Sequence, residues 1–224
     1  MRFLTKVPGF GSNPIYVRVA PFFIFVLLTA CQGKLGASSA YLFYLAKTIA
    51  GAWLIYEMRP FVSEMRWAIS WEAVVVGIVI FAIWVKLDGY YPKFFHSPST
   101  GNPAGAFGPK SALPWIFNAV HIIGMTLIVP PLEEVFYRSF VYRYIANPNF
   151  LAAPMNRFQA LPFCATALLF GFSHNEWLPG ILCGAAYQWL VIRKNRLGDA
   201  MTAHAITNLL LGLYIVRYGA WWFW

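Results

Sequence analysis

Apolar runs long enough to cross a bilayer recur along this chain, at roughly 16–32, 39–57, 69–87, 112–130 with a continuation through 131–146, 158–174, 177–193 and 199–217. A spanning helix needs about 20 consecutive apolar residues. In hydrocarbon only a helix or a closed barrel satisfies its own backbone. None of the runs shows the two-residue alternation of a strand, so they read as about seven helices, the fifth and sixth short. The expected fold class is all-α, a polytopic transmembrane helix bundle forming a single integral-membrane domain over residues 1–224. Within it, 1–111 holds the N-terminal helices and one long loop, and 112–217 holds a core of four helices.

Composition agrees. Of 224 residues 59% are hydrophobic and 11% charged, where a soluble domain carries about a quarter charged. The net charge of +9 comes from short Lys/Arg clusters between apolar runs. No basic stripe forms a face, so nucleic acid is not an expected partner. Cys31, Cys164 and Cys183 are isolated, without a CxxC pair, and read as small packing residues. Leu28-Thr29-Ala30-Cys31 resembles a lipoprotein cleavage site, but the run before it reads as an uncleaved first span.

The turns sort by charge. The N-terminal segment with Arg2, Lys6 and Arg18, the Arg59–Arg66 turn, the Arg143–Arg157 loop and the Arg193–Arg196 turn fall on one side. Lys34, Lys86, Lys93, Lys110 and Arg217 fall on the other, so the first side leads by about two to one. The positive-inside rule then places the N-terminus in the cytoplasm of a bacterial inner membrane and the C-terminal Trp221-Trp222-Phe223-Trp224 as an outer aromatic anchor.

Polar residues inside apolar runs need partners or a purpose. Lys47 and Glu72 are expected to pair across the second and third helices or to snorkel. His121 reads as a packing histidine, and Gly180 with Gly184 as a close helix contact. The densest group is Pro130-Pro131-Leu132-Glu133-Glu134-Val135-Phe136-Tyr137-Arg138. Residues four apart share a helix face, so Glu134 pairs with Arg138. Glu133, about 100° away, is left free for a cavity. The proline doublet suits a helix start or kink. Downstream, His174 ends the fifth run, and His204 and Asn208 share a face of the last. A carboxylate, two imidazoles and an amide suffice for hydrolysis: Glu133 takes a proton from water, an imidazole orients it, and His204 and Asn208 bind an oxyanion. The other reading is that these groups only join helices. A straight-helix count sets Glu133 and His174 at opposite ends of adjacent spans, so they meet only if the Pro130-Pro131 break lets the fourth helix run deep or the fifth has other limits.

Glu133-Glu134-x-x-x-Arg138, Phe170-x-x-x-His174 and His204-x-x-x-Asn208, in that order, resemble the three motifs of the CAAX protease and bacteriocin-processing family of intramembrane endopeptidases. The likeness covers about 112–217. Trp84-Val85-Lys86-Leu87-Asp88-Gly89-Tyr90-Tyr91-Pro92 further resembles the CAAX-protease-related proteins found beside exosortase systems. The resemblance implies hydrolysis of a peptide bond near the C-terminus of a membrane-associated, prenylated or unmodified, protein or peptide, without metal or cofactor. Glu133 and His174 would activate water, His204 and Asn208 would form the oxyanion hole, and Glu134 and Arg138 would support the site. The partners it implies are the lipid bilayer and a peptide or protein substrate. Two rivals stand beside it: a zinc protease with Glu133, His174 and His204 as ligands, and a non-catalytic binding or immunity protein.

Overall fold

A computed structural model describes residues 10–36, 38–93 and 101–224. Arg2, Lys6 and the 94–100 part of the long connection lie outside the described residues. The helices are α1 (Pro14–Ala30), α2 (Ser39–Met58), α3 (Trp71–Leu87), a short α4 (Pro103–Phe107), α5 (Leu113–Ala146), α6 (Ala160–Phe172), α7 (Trp177–Lys194) and α8 (Gly198–Tyr218). The described residues contain no strand. Each expected apolar run is a helix, and α4 is an addition inside the long connection. Asn102 caps it, its Oδ1 accepting from the Ala104 N–H at 2.9 Å, with Pro103 at the first helical position, where its missing N–H costs nothing.

The bundle alternates in direction, which leaves two ends. The basic end collects the 59–70 turn, the 147–159 segment and the α7–α8 turn. There Arg18 of α1 meets Glu64 at 2.7 Å and donates to Ser139 Oγ of α5 at 3.0 Å. Arg143 lies 3.7 Å from the same carboxylate. Burial opposes ionisation of Glu64, but Arg18 and Ser139 outweigh it and hold the carboxyl below its ordinary value. At the loop end, Lys93 pairs with Asp88 (2.8 Å) and Glu176 (3.2 Å). Trp222 Nε1 donates to Asp88 at 2.9 Å and Trp177 Nε1 to the Pro92 carbonyl at 2.8 Å. The α3–α4 connection and the C-terminal aromatics are thereby tied over the α6–α7 turn.

Small residues set the inner crossings. A Cβ on Gly184 would stand 3.0 Å from the Ala167 Cα, and one on Gly180 3.0 Å from the Gly171 Cα, so α6 and α7 touch backbone to backbone as the glycine step predicts. Outward faces are apolar, with Leu161 73% and Trp115 70% exposed. A patch this extensive has to be covered in a stable protein.

Three expectations are decided here. His121 stacks between the rings of Tyr44 (3.7 Å) and Trp224 (4.0 Å), a packing residue. Lys47 and Glu72 do not pair: Glu72, at the basic end, takes Lys194 at 2.5 Å. Lys47, halfway along α2, donates to Gln32 Oε1 (2.8 Å) and Thr29 Oγ1 (3.2 Å) over the Tyr44 ring. Nor does Pro130-Pro131 start or break a helix, because α5 runs through it for 34 residues. The turn before the doublet, Gly124–Ile128, is π-helical, with the Val129 N–H reaching Gly124 O. That wider turn accommodates two residues that lack a donor and would crowd the carbonyl four back.

Candidate active site

Glu134 and Arg138 are fully buried, the Arg138 Nε 3.1 Å from Glu134 Oε2. The contact is a close ion pair rather than an aligned hydrogen bond, since neither atom has a hydrogen-bond partner among the described residues. Arg138 is fixed by other means. Its Nη2 donates to the Gly184 carbonyl at 3.3 Å, and its guanidinium lies 4.4 Å over the Phe170 ring. The second carboxylate oxygen of Glu134 turns to α8, where His204 Nδ1 lies 2.9 Å away. An ionised carboxylate only accepts, so Nδ1 carries the proton and Nε2 is directed away from Glu134. Glu133 Oε2 lies 4.0 Å from that Nε2. This oxygen is itself buried and without a hydrogen-bond partner among the described residues.

The pairing read from helical spacing is therefore present with one link the spacing did not contain: Glu134 bridges Arg138 to His204. Tyr187 and Thr207 extend the same shell. The Tyr187 hydroxyl donates to Thr207 Oγ1 at 2.7 Å, and Thr207 donates to the Gly77 carbonyl at 2.8 Å. The Tyr187 ring lies 5.3 Å from that of His204. Sequence reasoning missed both. The available signal was Thr207, three residues after His204 on the same face.

His174 sits in the α6–α7 turn at the loop end. Its Nδ1 is 2.7 Å from the Phe170 carbonyl, which can only accept, so Nε2 is the open, unprotonated nitrogen of the neutral ring. Phe170 stands between the two imidazoles, 4.7 Å from His174 and 5.9 Å from His204, centroid to centroid. Asn208 Nδ2 donates to the Met125 carbonyl at 2.6 Å. Met125 belongs to the π-helical turn, and one amide proton of Asn208 stays free. His174, His204 and Asn208 line one cavity of about 330 Å³, which extends from the α8 core to Glu176, Trp84 and Phe223 at the loop end. His204 lies deep in this cavity and His174 near its mouth, while Glu133 is not among the lining residues and reaches it only beside His204. Among the described residues no three His, Cys, Asp or Glu side chains converge as metal ligands.

An all-helical bundle with apolar outer faces and a buried carboxylate–imidazole network defines a membrane protein with a polar site in its core. Residues 114–210 match the family described as Type II CAAX prenyl endopeptidase Rce1-like. That match covers less than half of the chain and agrees with the likeness drawn from the three motifs. UPF0177 protein YaiH of Lactococcus lactis subsp. lactis is 22% identical over 143 residues, 62% of this chain and 54% of that protein. The chain spans about half the length of this curated relative. No solved structure matches. The apolar helices and the family together make the chain an integral membrane protein. The segment 84–92, which carries the likeness to exosortase-associated proteins, lies outside the matched stretch.

Proposed function

We propose that the chain is an intramembrane endopeptidase cutting near the C-terminus of a membrane-associated protein or peptide, with Glu133 as the general base. The observation that carries this reading is the Arg138–Glu134–His204 chain, which holds the His204 imidazole 4.0 Å from the Glu133 carboxylate at the inner end of the cavity. Glu133 takes a proton from water and the resulting hydroxide attacks the scissile carbonyl. The developing oxyanion accepts from the free amide proton of Asn208, and from His204 Nε2 when the ring carries both protons. His174, with Nε2 open, accepts from the water and orients it, and Glu133 returns the proton it took to the leaving amine as the C–N bond breaks. Glu134 and Arg138 position His204 without touching the substrate. A cavity of about 330 Å³ is at the small end of ligand sites and fits a few peptide side chains, with any lipid anchor left in the bilayer.

The test is Glu133→Gln, which keeps shape and hydrogen bonding but removes the base. Membranes from strains carrying either form are compared by proteomics for a C-terminal fragment present only with the wild type. Loss of the fragment, with unchanged thermal stability of the purified variant, is expected. Full biological activity in Glu133→Gln would refute the enzyme and favour a binding or immunity role. Cleavage lost in chelator and restored by zinc would refute the glutamate mechanism.

A further inference from the structure

A larger cavity, about 610 Å³, opens at the basic end between α2, the 59–70 turn, α5 and α8. Arg59, Arg66 and Trp67 stand on its rim, and Met65, Pro131 and Met201 are among the residues beneath. Both guanidinium groups are exposed and, among the described residues, neither has an ion-pair partner. Their neighbours differ: Arg18, Arg143, Lys194 and Arg196 at the same end are each held by a carboxylate. The cavity also lies at a belt of exposed aromatics, Tyr56 (53%), Trp67 (47%) and Trp71 (72%), the residue types that mark a bilayer–water interface.

We propose that this cavity binds the phosphate headgroup of an anionic phospholipid. Two free guanidinium forks match phosphate oxygens in charge and geometry. The apolar floor takes the glycerol and first methylenes, which a free phosphate ion lacks. Pro131 and Met201 lie three residues before Glu134 and His204, so a seated headgroup rests against the turns that carry the buried pair.

Native mass spectrometry of the purified full-length protein in detergent, titrated with phosphatidylglycerol, phosphatidylcholine or inorganic phosphate, tests this. One phosphatidylglycerol per chain is expected, in preference to phosphatidylcholine. Its affinity should fall about 30-fold in Arg59→Gln/Arg66→Gln and about fivefold in either single variant, from the worth of each basic residue at a lipid surface. Lys34→Gln/Lys110→Gln, which removes the same charge from the opposite end, should bind as wild type does. The single variants carry the comparison if the double variant loses helical content. Equal binding by the arginine variants overturns the proposal, as does displacement of the lipid by equimolar inorganic phosphate or by a peptide with a free C-terminal carboxylate. The readout is binding and is independent of whether the chain cleaves anything.

Discussion

The buried pair at the centre of the bundle makes a quantitative prediction through a double-mutant cycle of Glu134→Gln and Arg138→Met. Both side chains are fully buried and their charged atoms are 3.1 Å apart. Two unit charges separated by about 4 Å attract by about 4 kcal/mol at an effective dielectric of about 20. Most of that attraction offsets the cost of removing both from water, so the intact pair contributes little net stability. Removing one member instead strands the other, at about 3–5 kcal/mol. Arg138→Met should be the costlier single change, because it also removes the hydrogen bond to the Gly184 carbonyl and the contact with the Phe170 ring. In Glu134→Gln the amide oxygen can still accept from His204 Nδ1, so the cycle isolates the arginine side of the network. The double variant should therefore be more stable than the sum of singles by about 2–3 kcal/mol. Reversible unfolding in mixed micelles, followed by tryptophan fluorescence, measures all four corners. Additivity within about 0.5 kcal/mol, or an Arg138→Met cost below about 1 kcal/mol, would refute a charged buried pair.

Two further predictions concern the frame around the site. Glu64 has its carboxyl held below the ordinary 4.5, with burial resisting and Arg18 and Ser139 prevailing. A depressed folded value means that the stabilisation is present above pH 4.5 and is lost as pH falls through the lower value. The thermal midpoint of wild type should thus drop below pH 4.5 more steeply than that of Glu64→Gln, and parallel pH profiles would contradict the pairing. At the other end, a Cβ on Gly171 would meet the Ile181 N at 2.7 Å and the Trp177 carbonyl oxygen at 2.8 Å, both backbone. Gly171→Ala should cost about 1–3 kcal/mol and lower cleavage by moving His174, three residues on. Gly105→Ala, with open space around it, should be silent in both assays.

Much of the fold is written locally. Each span is an apolar run closed by a turn signal, so the runs ending near Ala30, Met58 and Leu87 give helices within a residue or two of their expected limits. Arg138 and Glu134 are legible because four residues on a helix return to one face. What local pattern cannot carry is which helices meet. Lys47 and Glu72 are both charges in apolar runs, and nothing in their own neighbourhoods says that one finds Gln32 and the other Lys194, 122 residues away. The Glu134–His204 bond joins residues 70 apart and was invisible for the same reason. Spacing assigned Glu134 one partner because only one of its partners is local.

The π-helical turns explain why even a local inference about α5 fell short. Gly124–Ile128 and Val135–Val141 bracket the short α-helical stretch Val129–Glu134 that carries both glutamates. A π turn inserts an extra residue, rotating everything beyond it relative to an ideal helix and loosening the backbone ladder. Upstream of the glutamates it lets the helix pass two prolines and leaves the Met125 carbonyl to accept from Asn208, which locks α8 in place beside α5. Downstream, in the second π segment, Arg138 stays near Glu134 but off the line of an ideal hydrogen bond, with its Nη2 on Gly184 of α7. The two irregular turns thus join α5 to α8 and α7 on either side of the glutamates, so the stretch least regular as a helix is also the one that assembles the site. Sequence shows the prolines that need such a turn but not the register the turn selects, and it is the register that decides which carboxylate reaches His204 Nδ1.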